Sequence, residues 1–467
     1  MRYAALLALS LLGGCASLAP LPDAANVQPP LRYTYAAEQV PEIPLAALLP
    51  QNDAGFMKLA ERARMNAPTL AAALARVDAA SAGLDRAGAN RKPNIGRSAT
   101  ISGNRASEAT LRPGADRDTF QAVSGTSASW DIDIFGGLRA SQRAASSRLD
   151  AAGADASAVR LALECDVALA VTDYRDAVAR EAIVQRDVAD AQDLVRLTSI
   201  RAKAGIVAGF DVVRAESLLR DAKARLAPFL ADKANAVGRL VALAATDADN
   251  VLAMLGTNTA RPELPQLAGG VPSQLLRNRP DIQAAEYRLA AAKSDVAVAA
   301  AARFPKFSIT GTLGLFALAL GDVFDAGSTT ASLGAAVTGP LFDFGRIKAD
   351  IKANEAGARE AFENYRGSVY QALGEVETAF ASYAAARNAS DATLARLETD
   401  RDALSIARER YRLGISDFLT VIDAQRTLNA TRQANESSIA NTSRAAIQLY
   451  RFMGGAQPPL RPAPENT

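Results

Sequence analysis

The sequence predicts a mostly α-helical, internally duplicated chain in which a transmembrane β-barrel is continued by a barrel of long helices. Two observations lead to this prediction. The surroundings of Pro93 and Gly205 recur, in the same order, around Pro305 and Gly414. In each copy, short stretches of period-two alternation precede a very long stretch without proline. A repeated unit of strands and one over-long helix is typical of an assembly that crosses a boundary, and not of a compact enzyme.

The N-terminus resembles a secretory signal that ends in a lipid-attachment site. Arg2 supplies a positive charge, residues 3–12 are apolar, and a Leu-Gly-Gly sequence before Cys15 resembles a bacterial lipobox. We therefore predict that Cys15 is the first mature residue and carries covalent acyl chains that hold the protein on the membrane. Ala16, where inner-membrane retention signals have aspartate, favours the outer membrane. The alternative is an ordinary signal peptide with an incidental cysteine.

The composition excludes several functional classes. The chain has no histidine, two cysteines and a net charge of +2, and it lacks a phosphate-binding glycine loop, so nothing favours an enzyme or a nucleic-acid partner. Cys165 lies in an apolar helical stretch and is predicted to be buried. Beyond residue 15, no apolar run approaches the roughly 20 residues that a membrane helix needs. Any membrane-spanning part must therefore consist of strands.

Four stretches after the two prolines are predicted to be strands: 95–102, 120–133, 307–315 and 332–341. Their alternation of apolar and small polar residues over about ten positions is typical of membrane barrels. Four strands cannot close a barrel, and an open edge cannot lie in lipid. The membrane interpretation therefore requires three copies and about twelve strands. A small soluble sheet is the alternative.

Two long helices are predicted, at about 137–203 and 345–412, each followed by a returning helix, at 211–245 and 418–453. About 67 residues at 1.5 Å each span on the order of 100 Å. The second long stretch has apolar residues at steps of three, four and seven, as in the seam of a coiled coil. These are Ile351, Ala358, Phe362, Tyr365, Val369, Val376, Phe380 and Tyr383. Two helical hairpins per chain predict a twelve-helix barrel in a trimer.

These patterns divide the chain into six segments. We predict a signal peptide at 1–14, a lipid-anchored extended segment at 15–50, a first repeat at 51–245, an equatorial linker at 246–272, a second repeat at 273–455 and a flexible C-terminal tail at 456–467.

Four motifs, together with the lipobox, resemble a known family. They are Trp130-Asp-Ile-Asp-Ile-Phe-Gly-Gly137, Leu275-Leu-Arg-Asn-Arg-Pro-Asp281-Ile, Gly339-Pro-Leu-Phe-Asp-Phe-Gly345-Arg and Leu419-Thr-Val-Ile-Asp-Ala-Gln-Arg426. The chain resembles the outer-membrane lipoproteins of tripartite efflux pumps, which are TolC-like outer membrane factors of the NodT branch. The resemblance implies a homotrimeric exit duct in the outer membrane. It also implies two protein partners, a periplasmic adaptor (membrane fusion) protein and an inner-membrane RND transporter.

The candidate functional site is a gate at the periplasmic ends of the hairpins. Each long helix ends at a matched glycine, so Gly205 and Gly414 are predicted to mark the hairpin tips. The resemblance implies that Asp423 forms a ring of three carboxylates around the symmetry axis, with Arg426 one turn further on the same face. Such a ring favours cations, and the repulsion within it keeps the tip responsive to a partner. A solvated acidic residue on an exposed face is the alternative for Asp423.

Three further residues complete the predicted gate. Asp211 and Tyr411 match positions that the family joins by a hydrogen bond between hairpins in the closed state. Thr420 stands where the family has a second ring aspartate, and Ser416 replaces an arginine near the link. The link that holds the closed state is therefore expected to be weaker, or to be formed by other residues.

The predicted mechanism is passive conduction of small molecules such as drugs, without a cofactor other than the lipid on Cys15. Two alternatives remain at this point. One is an exit duct for type I protein secretion, and the other is a lipid-anchored coiled-coil scaffold without a pore.

Overall fold

The structure is a computed structural model that describes residues 21–27, 34, 45–112, 114, 116–257 and 279–455. The predicted signal peptide, the lipidation site Cys15, linker residues 258–272 and the C-terminal tail 456–467 lie outside the described residues. The chain divides into two compact units. Unit 1 contains the described residues among 1–28, 79–150 and 285–366, and unit 2 contains the others.

Helices make up most of the described chain, with four strands between them. In chain order the elements are α1 (Ala54–Asn66), α2 (Pro68–Ala89), β1 (Asn94–Arg105), β2 (Asp118–Ile132), α3 (Gly137–Lys203), α4 (Gly209–Ala224), α5 (Ala227–Ala244), α6 (Ala248–Leu255), α7 (Pro280–Ala301), β3 (Lys306–Ala317), β4 (Thr329–Thr338), α8 (Arg346–Arg412) and α9 (Phe418–Phe452). This order confirms a mostly helical fold with two strand pairs, each followed by a 67-residue helix. Within the described part of the chain, no helix is both long and apolar enough to cross a membrane.

The four strands of unit 1 form one antiparallel sheet in the order β1-β2-β3-β4. Each lies close to its predicted position, although Leu341 falls beyond the end of β4. Gly125 and Gly314 face each other across β2 and β3. A Cβ atom on Gly314 would lie only 2.5 Å from the carbonyl oxygen of Ser124. This contact requires glycine because any side chain would push the two strands apart.

One aspartate precedes each of the two long helices at a matching position of the repeat. Asp133 accepts hydrogen bonds from the backbone N–H groups of Leu138 and Arg139 at 3.0 and 2.8 Å. Asp343 accepts from those of Gly345 and Ile347 at 3.1 and 2.8 Å. The first backbone N–H groups of a helix have no partner inside the helix, and these carboxylates supply one. The aspartate in each Asp-x-Phe-Gly or Asp-Phe-Gly motif is therefore a helix cap.

The predicted seam of α8 is buried. All but one of the eight seam residues of α8 are buried, and Phe362 is half-buried. The first returning helix differs from the prediction of one helix over 211–245, because it breaks between α4 and α5 at Arg225 and Leu226. Pro228 occupies the first turn of α5, and proline cannot continue the hydrogen bonds of a preceding helix. The second return, α9, is continuous.

Two arginines, the half-buried Arg175 and the buried Arg279, connect elements of unit 2. Arg175 donates to both oxygens of Asp53, at 2.9 and 3.2 Å, and to the carbonyl of Leu255 at 2.6 Å. Arg279, from the Arg-Pro-Asp motif, donates to the Asp281 carboxylate and, at 2.7 Å, to Glu375. The motif therefore anchors the start of α7, because buried guanidinium groups need paired acceptors.

Candidate functional site

The helices α3 and α8 end in turns of the same geometry, both within unit 2. Gly205 and Gly414 each have φ +73°, a left-handed conformation that glycine adopts without strain. In the first turn, the N–H of Ile206 donates to the carbonyl of Arg201 at 2.9 Å; in the second, that of Ile415 donates to the carbonyl of Arg410 at 2.9 Å. This is the glycine-terminated helix end in which late N–H groups satisfy the last free carbonyls. The structure thus places both predicted tip glycines at sharp turns.

The helices that follow the two turns begin differently. Asp417 precedes α9 and accepts hydrogen bonds from the backbone N–H of Thr420 at 3.0 Å and from its hydroxyl at 2.7 Å. Both hydrogen bonds lower the pKa of the Asp417 carboxyl, and the bond from the Thr420 hydroxyl lowers it more than the bond from the backbone N–H. Ala208 precedes α4 and provides no side-chain cap. The predicted gate residue Thr420 is therefore engaged in capping α9, while Asp211 lies in the uncapped first turn of α4.

A small apolar core holds the two turns together. It is formed by residues of α3, α4, α8 and α9, among them Ala215, Leu404, Phe418 and Val421. The Tyr411 ring packs against this core, with its centroid 5.5 Å from that of Phe418. The Arg201 guanidinium lies over the Tyr411 ring, 4.8 Å from its centroid. Tyr411 therefore connects the two hairpins through its ring.

Asp211 and Tyr411 are not joined by a hydrogen bond within the described part of the chain. The Tyr411 hydroxyl is buried and has no hydrogen-bond partner there, while the Tyr411 ring contacts Phe418 and Arg201. The described residues of one chain therefore do not form the link that the resemblance implies. Ser416, which replaces the family's arginine, also has a buried hydroxyl without a partner in the described structure.

Asp423 and Arg426 lie on the surface of α9, three residues apart. Both are exposed, whereas Ile422 and Gln425 beside them are buried. Asp423 therefore points away from the core of the hairpins. Neither Asp423 nor Arg426 forms an ion pair within the described residues. The Asp423 carboxylate is consequently available to groups outside the chain.

A buried polar network lies further along the hairpins. Asp187 of α3 is 2% exposed, and Arg432 of α9 donates to it at 3.2 Å and to Asp190 at 3.5 Å. The Asn429 amide lies 3.0 Å from the Asp187 carboxylate. Burial raises the pKa of Asp187 to about 6, although the charge of Arg432 opposes this. The second carboxylate oxygen of Asp187 is buried without a partner in the described structure.

The sequence carried a signal for this network that the prediction missed. Val184, Asp187, Ala191 and Thr198 are buried at the three-, four- and seven-residue steps of a packing seam. An aspartate at a seam position requires a buried partner on the facing helix. Among the described residues, no cluster of His, Cys, Asp and Glu is arranged to hold a metal ion.

Comparison with known proteins shows to which family the chain belongs. The model of the family described as "Outer membrane efflux protein" matches residues 59–246 and 271–455. The chain belongs to this outer membrane efflux protein family. The chain is 31% identical to the outer membrane protein OprJ of Pseudomonas aeruginosa over 86% of its length and 84% of that protein. It is 32% identical to the pyoverdine export outer membrane protein OpmQ of Pseudomonas putida, over 97% of both. The crystal structure of the outer membrane protein VceC from Vibrio cholerae superimposes with a TM-score of 0.78, at 26% identity, covering 86% of this chain and 97% of VceC.

These findings confirm the resemblance drawn from the motifs. The chain is an outer-membrane channel protein of an efflux system, and its family is one of channels and not of enzymes. The scaffold without a pore is thereby excluded as its function.

Proposed function

We propose that three copies of this chain form an exit duct that passively conducts small organic molecules out of the cell. The observation that carries this proposal is the four-stranded sheet with β1 and β4 at its edges. The backbone groups of an edge strand must be paired before the strand can lie in lipid. Pairing β1 of one copy with β4 of the next satisfies both edges, and three copies close about twelve strands into a barrel.

The turns of the helical hairpins form the gate of this duct. Asp423 is exposed on α9 close to the Gly414 turn, so three copies would place three unpaired carboxylates at one end of the helical barrel. Arg426 lies on the same face and limits their repulsion. In this gate, Thr420 acts by fixing the start of α9, and Asp211 and Tyr411 act separately, on α4 and on the core between the hairpins.

The duct works with a periplasmic adaptor and an inner-membrane RND transporter. Relatives named for pyoverdine export and for toluene efflux favour small organic substrates over secreted proteins. Acyl chains on Cys15 add an anchor to the outer membrane. The six segments predicted from the sequence are proposed as the domain organisation, with residues 51–245 and 273–455 as the two repeats.

Cysteine crosslinking between edge strands tests the trimer. Thr100→Cys on β1 is combined in turn with Ala331→Cys, Leu333→Cys and Ala335→Cys on β4. Under oxidation in outer membranes, at least one pair is expected to give disulfide-linked trimers on a denaturing gel. Each single variant serves as the matched control and is expected to remain monomeric there. Monomers from every pair would contradict the closed barrel.

Efflux itself is tested in cells that lack the gene. The wild-type chain is expected to lower the accumulation of a toxic aromatic solvent, and Cys15→Ser is expected to lose acylation while retaining part of this activity. Solvent accumulation that does not respond to the wild-type chain would refute the proposed substrate class. Acyl-chain labelling that persists in Cys15→Ser would show that the anchor lies elsewhere.

A further inference from the structure

A cavity of about 410 Å³ lies between the two hairpins of unit 2, beside the turns. Residues of α3, α8 and α9 line it, and this volume is within the range of sites for small organic ligands. Four of the lining side chains are arginines, namely Arg196, Arg201, Arg408 and Arg412. Two are carboxylates, Asp190 and Asp193. The lining therefore has an excess of positive charge.

The partners of these arginines show where the positive charge is not neutralised. Arg196 is paired with Asp193 at 3.1 Å, and Arg412 with Glu409 at 2.6 Å. Arg408 donates to the neutral amide of Gln425 at 2.6 Å. Arg201 lies over the Tyr411 ring and has no carboxylate partner among the described residues. The region around Arg201 and Arg408 is therefore the part of the cavity that an anion would occupy.

The two guanidinium groups come from different helices of the cavity wall. Arg201 lies in the last turn of α3 and Arg408 lies near the end of α8, and both line the cavity. The N–H groups of a guanidinium match the two oxygens of a carboxylate. A carboxylate placed between Arg201 and Arg408 would accept hydrogen bonds from both.

The remaining wall indicates the rest of the ligand. Leu194, Leu197 and Val421 also line the cavity. Inorganic phosphate would leave these apolar side chains uncovered and much of the volume empty. We propose that the cavity binds a small amphipathic organic anion, with its carboxylate between Arg201 and Arg408 and its apolar body against the leucines and Val421.

Such a ligand would connect the two hairpins. Arg201 lies in the last turn of α3, in the first hairpin, and Arg408 lies near the end of α8, in the second. A ligand that contacts both favours the state in which the hairpins are held at this separation. This consequence rests on the proposed gate, whereas binding itself does not.

Binding is tested with 1-naphthoate, an aromatic carboxylate, by isothermal titration of the full-length trimer in detergent. Saturable binding at one site per chain is expected. Arg201→Gln and Arg408→Gln each remove one guanidinium charge from the cavity. Each is expected to weaken binding about tenfold or more, because hydrogen bonds to charged groups contribute about that much. Arg220→Gln, on the exposed surface of α4 outside the cavity, is the matched control and should bind as the wild type does.

Several outcomes would overturn the site. These are the absence of saturable binding, unchanged affinity in both cavity variants, or equal affinity for neutral 1-naphthalenemethanol. The link to the gate is measured separately, as single-channel conductance with and without 1-naphthoate. A ligand-dependent fall in conductance that Arg408→Gln abolishes would support the link. Binding without any change in conductance would refute the link and leave the site standing.

Discussion

The buried carboxylate of Asp187 predicts a specific dependence of stability on pH. Asp187 is 2% exposed, and one of its oxygens has no partner in the described structure. Its charged form is therefore poorly compensated, despite the Arg432 contact at 3.2 Å. Burial raises its pKa from 3.8 to about 6. The perturbation we consider is Asp187→Asn, which imitates the protonated side chain without a titratable group.

The magnitude follows from the linkage between protonation and folding. A rise of about 2 units in the pKa of Asp187 in the folded state corresponds to about 3 kcal/mol of unfolding free energy, at 1.36 kcal/mol per unit. Because the folded pKa is raised, this stability is fully present below the unfolded pKa near 4 and is lost as pH rises through 6. Above pH 7 the folded wild type contains the ionised, buried carboxylate and is fully destabilised by it. Asp187→Asn has no such charge and should be more stable there by up to about 3 kcal/mol.

The assay is thermal unfolding of the trimer, followed by circular dichroism between pH 4 and pH 7.5. The difference in Tm between Asp187→Asn and the wild type is expected to grow by several degrees as pH rises. Groups that titrate equally in both proteins cancel in this difference. Asp402→Asn, at an exposed position of α8, is the matched control and should give no pH-dependent difference. A difference independent of pH, or a wild type that is the more stable protein at pH 7.5, would refute the reasoning.

Three further predictions concern the framework around the gate. Arg279→Met should lower the free energy of unfolding by at least about 2 kcal/mol, measured by thermal unfolding, because it leaves two carboxylates without their buried donor. Gly314→Ala should reduce the yield of trimer in the outer membrane, whereas Gly103→Ala should not, since a Cβ there meets nothing within 4 Å; equal yields would contradict the close approach of the strands. Burial raises the pKa of the Cys165 thiol to about 12, so a maleimide should label it only after denaturation. If Cys15 is acylated, mass spectrometry should then find one label per chain, and two labels would contradict the lipid anchor.

The long elements of the fold could be predicted from local pattern. An unbroken heptad seam without proline specifies a long helix, because every step places an apolar residue on the same face. Alternation specified the strands for the corresponding reason. The break before Pro228 departs from the predicted continuous return, because proline has no backbone N–H to continue the hydrogen bonds of the preceding helix.

The candidate site was less predictable because it depends on pairs of side chains. Gly205 and Gly414 were found from the repeat, since a helix end of this geometry requires a left-handed residue. The Asp211–Tyr411 bond was carried over from a family pattern, but its formation depends on the orientation of the Tyr411 ring, which Phe418 and Arg201 determine. No spacing in the sequence specifies that orientation.

The role of Asp423 in a gate is the central claim, and channel recording tests it most directly. Single-channel conductance and cation preference in planar bilayers are compared for the wild type, Asp423→Ala and Asp402→Ala, each with an intact trimer. Both aspartates are exposed, so neither exchange should alter stability by more than about 0.5 kcal/mol. Asp423→Ala is expected to raise conductance or to reduce cation preference, because it removes a ring of three carboxylates from the constriction, while Asp402→Ala leaves both unchanged. Wild-type conductance and selectivity in Asp423→Ala would contradict the gate and return Asp423 to an ordinary solvated face of α9.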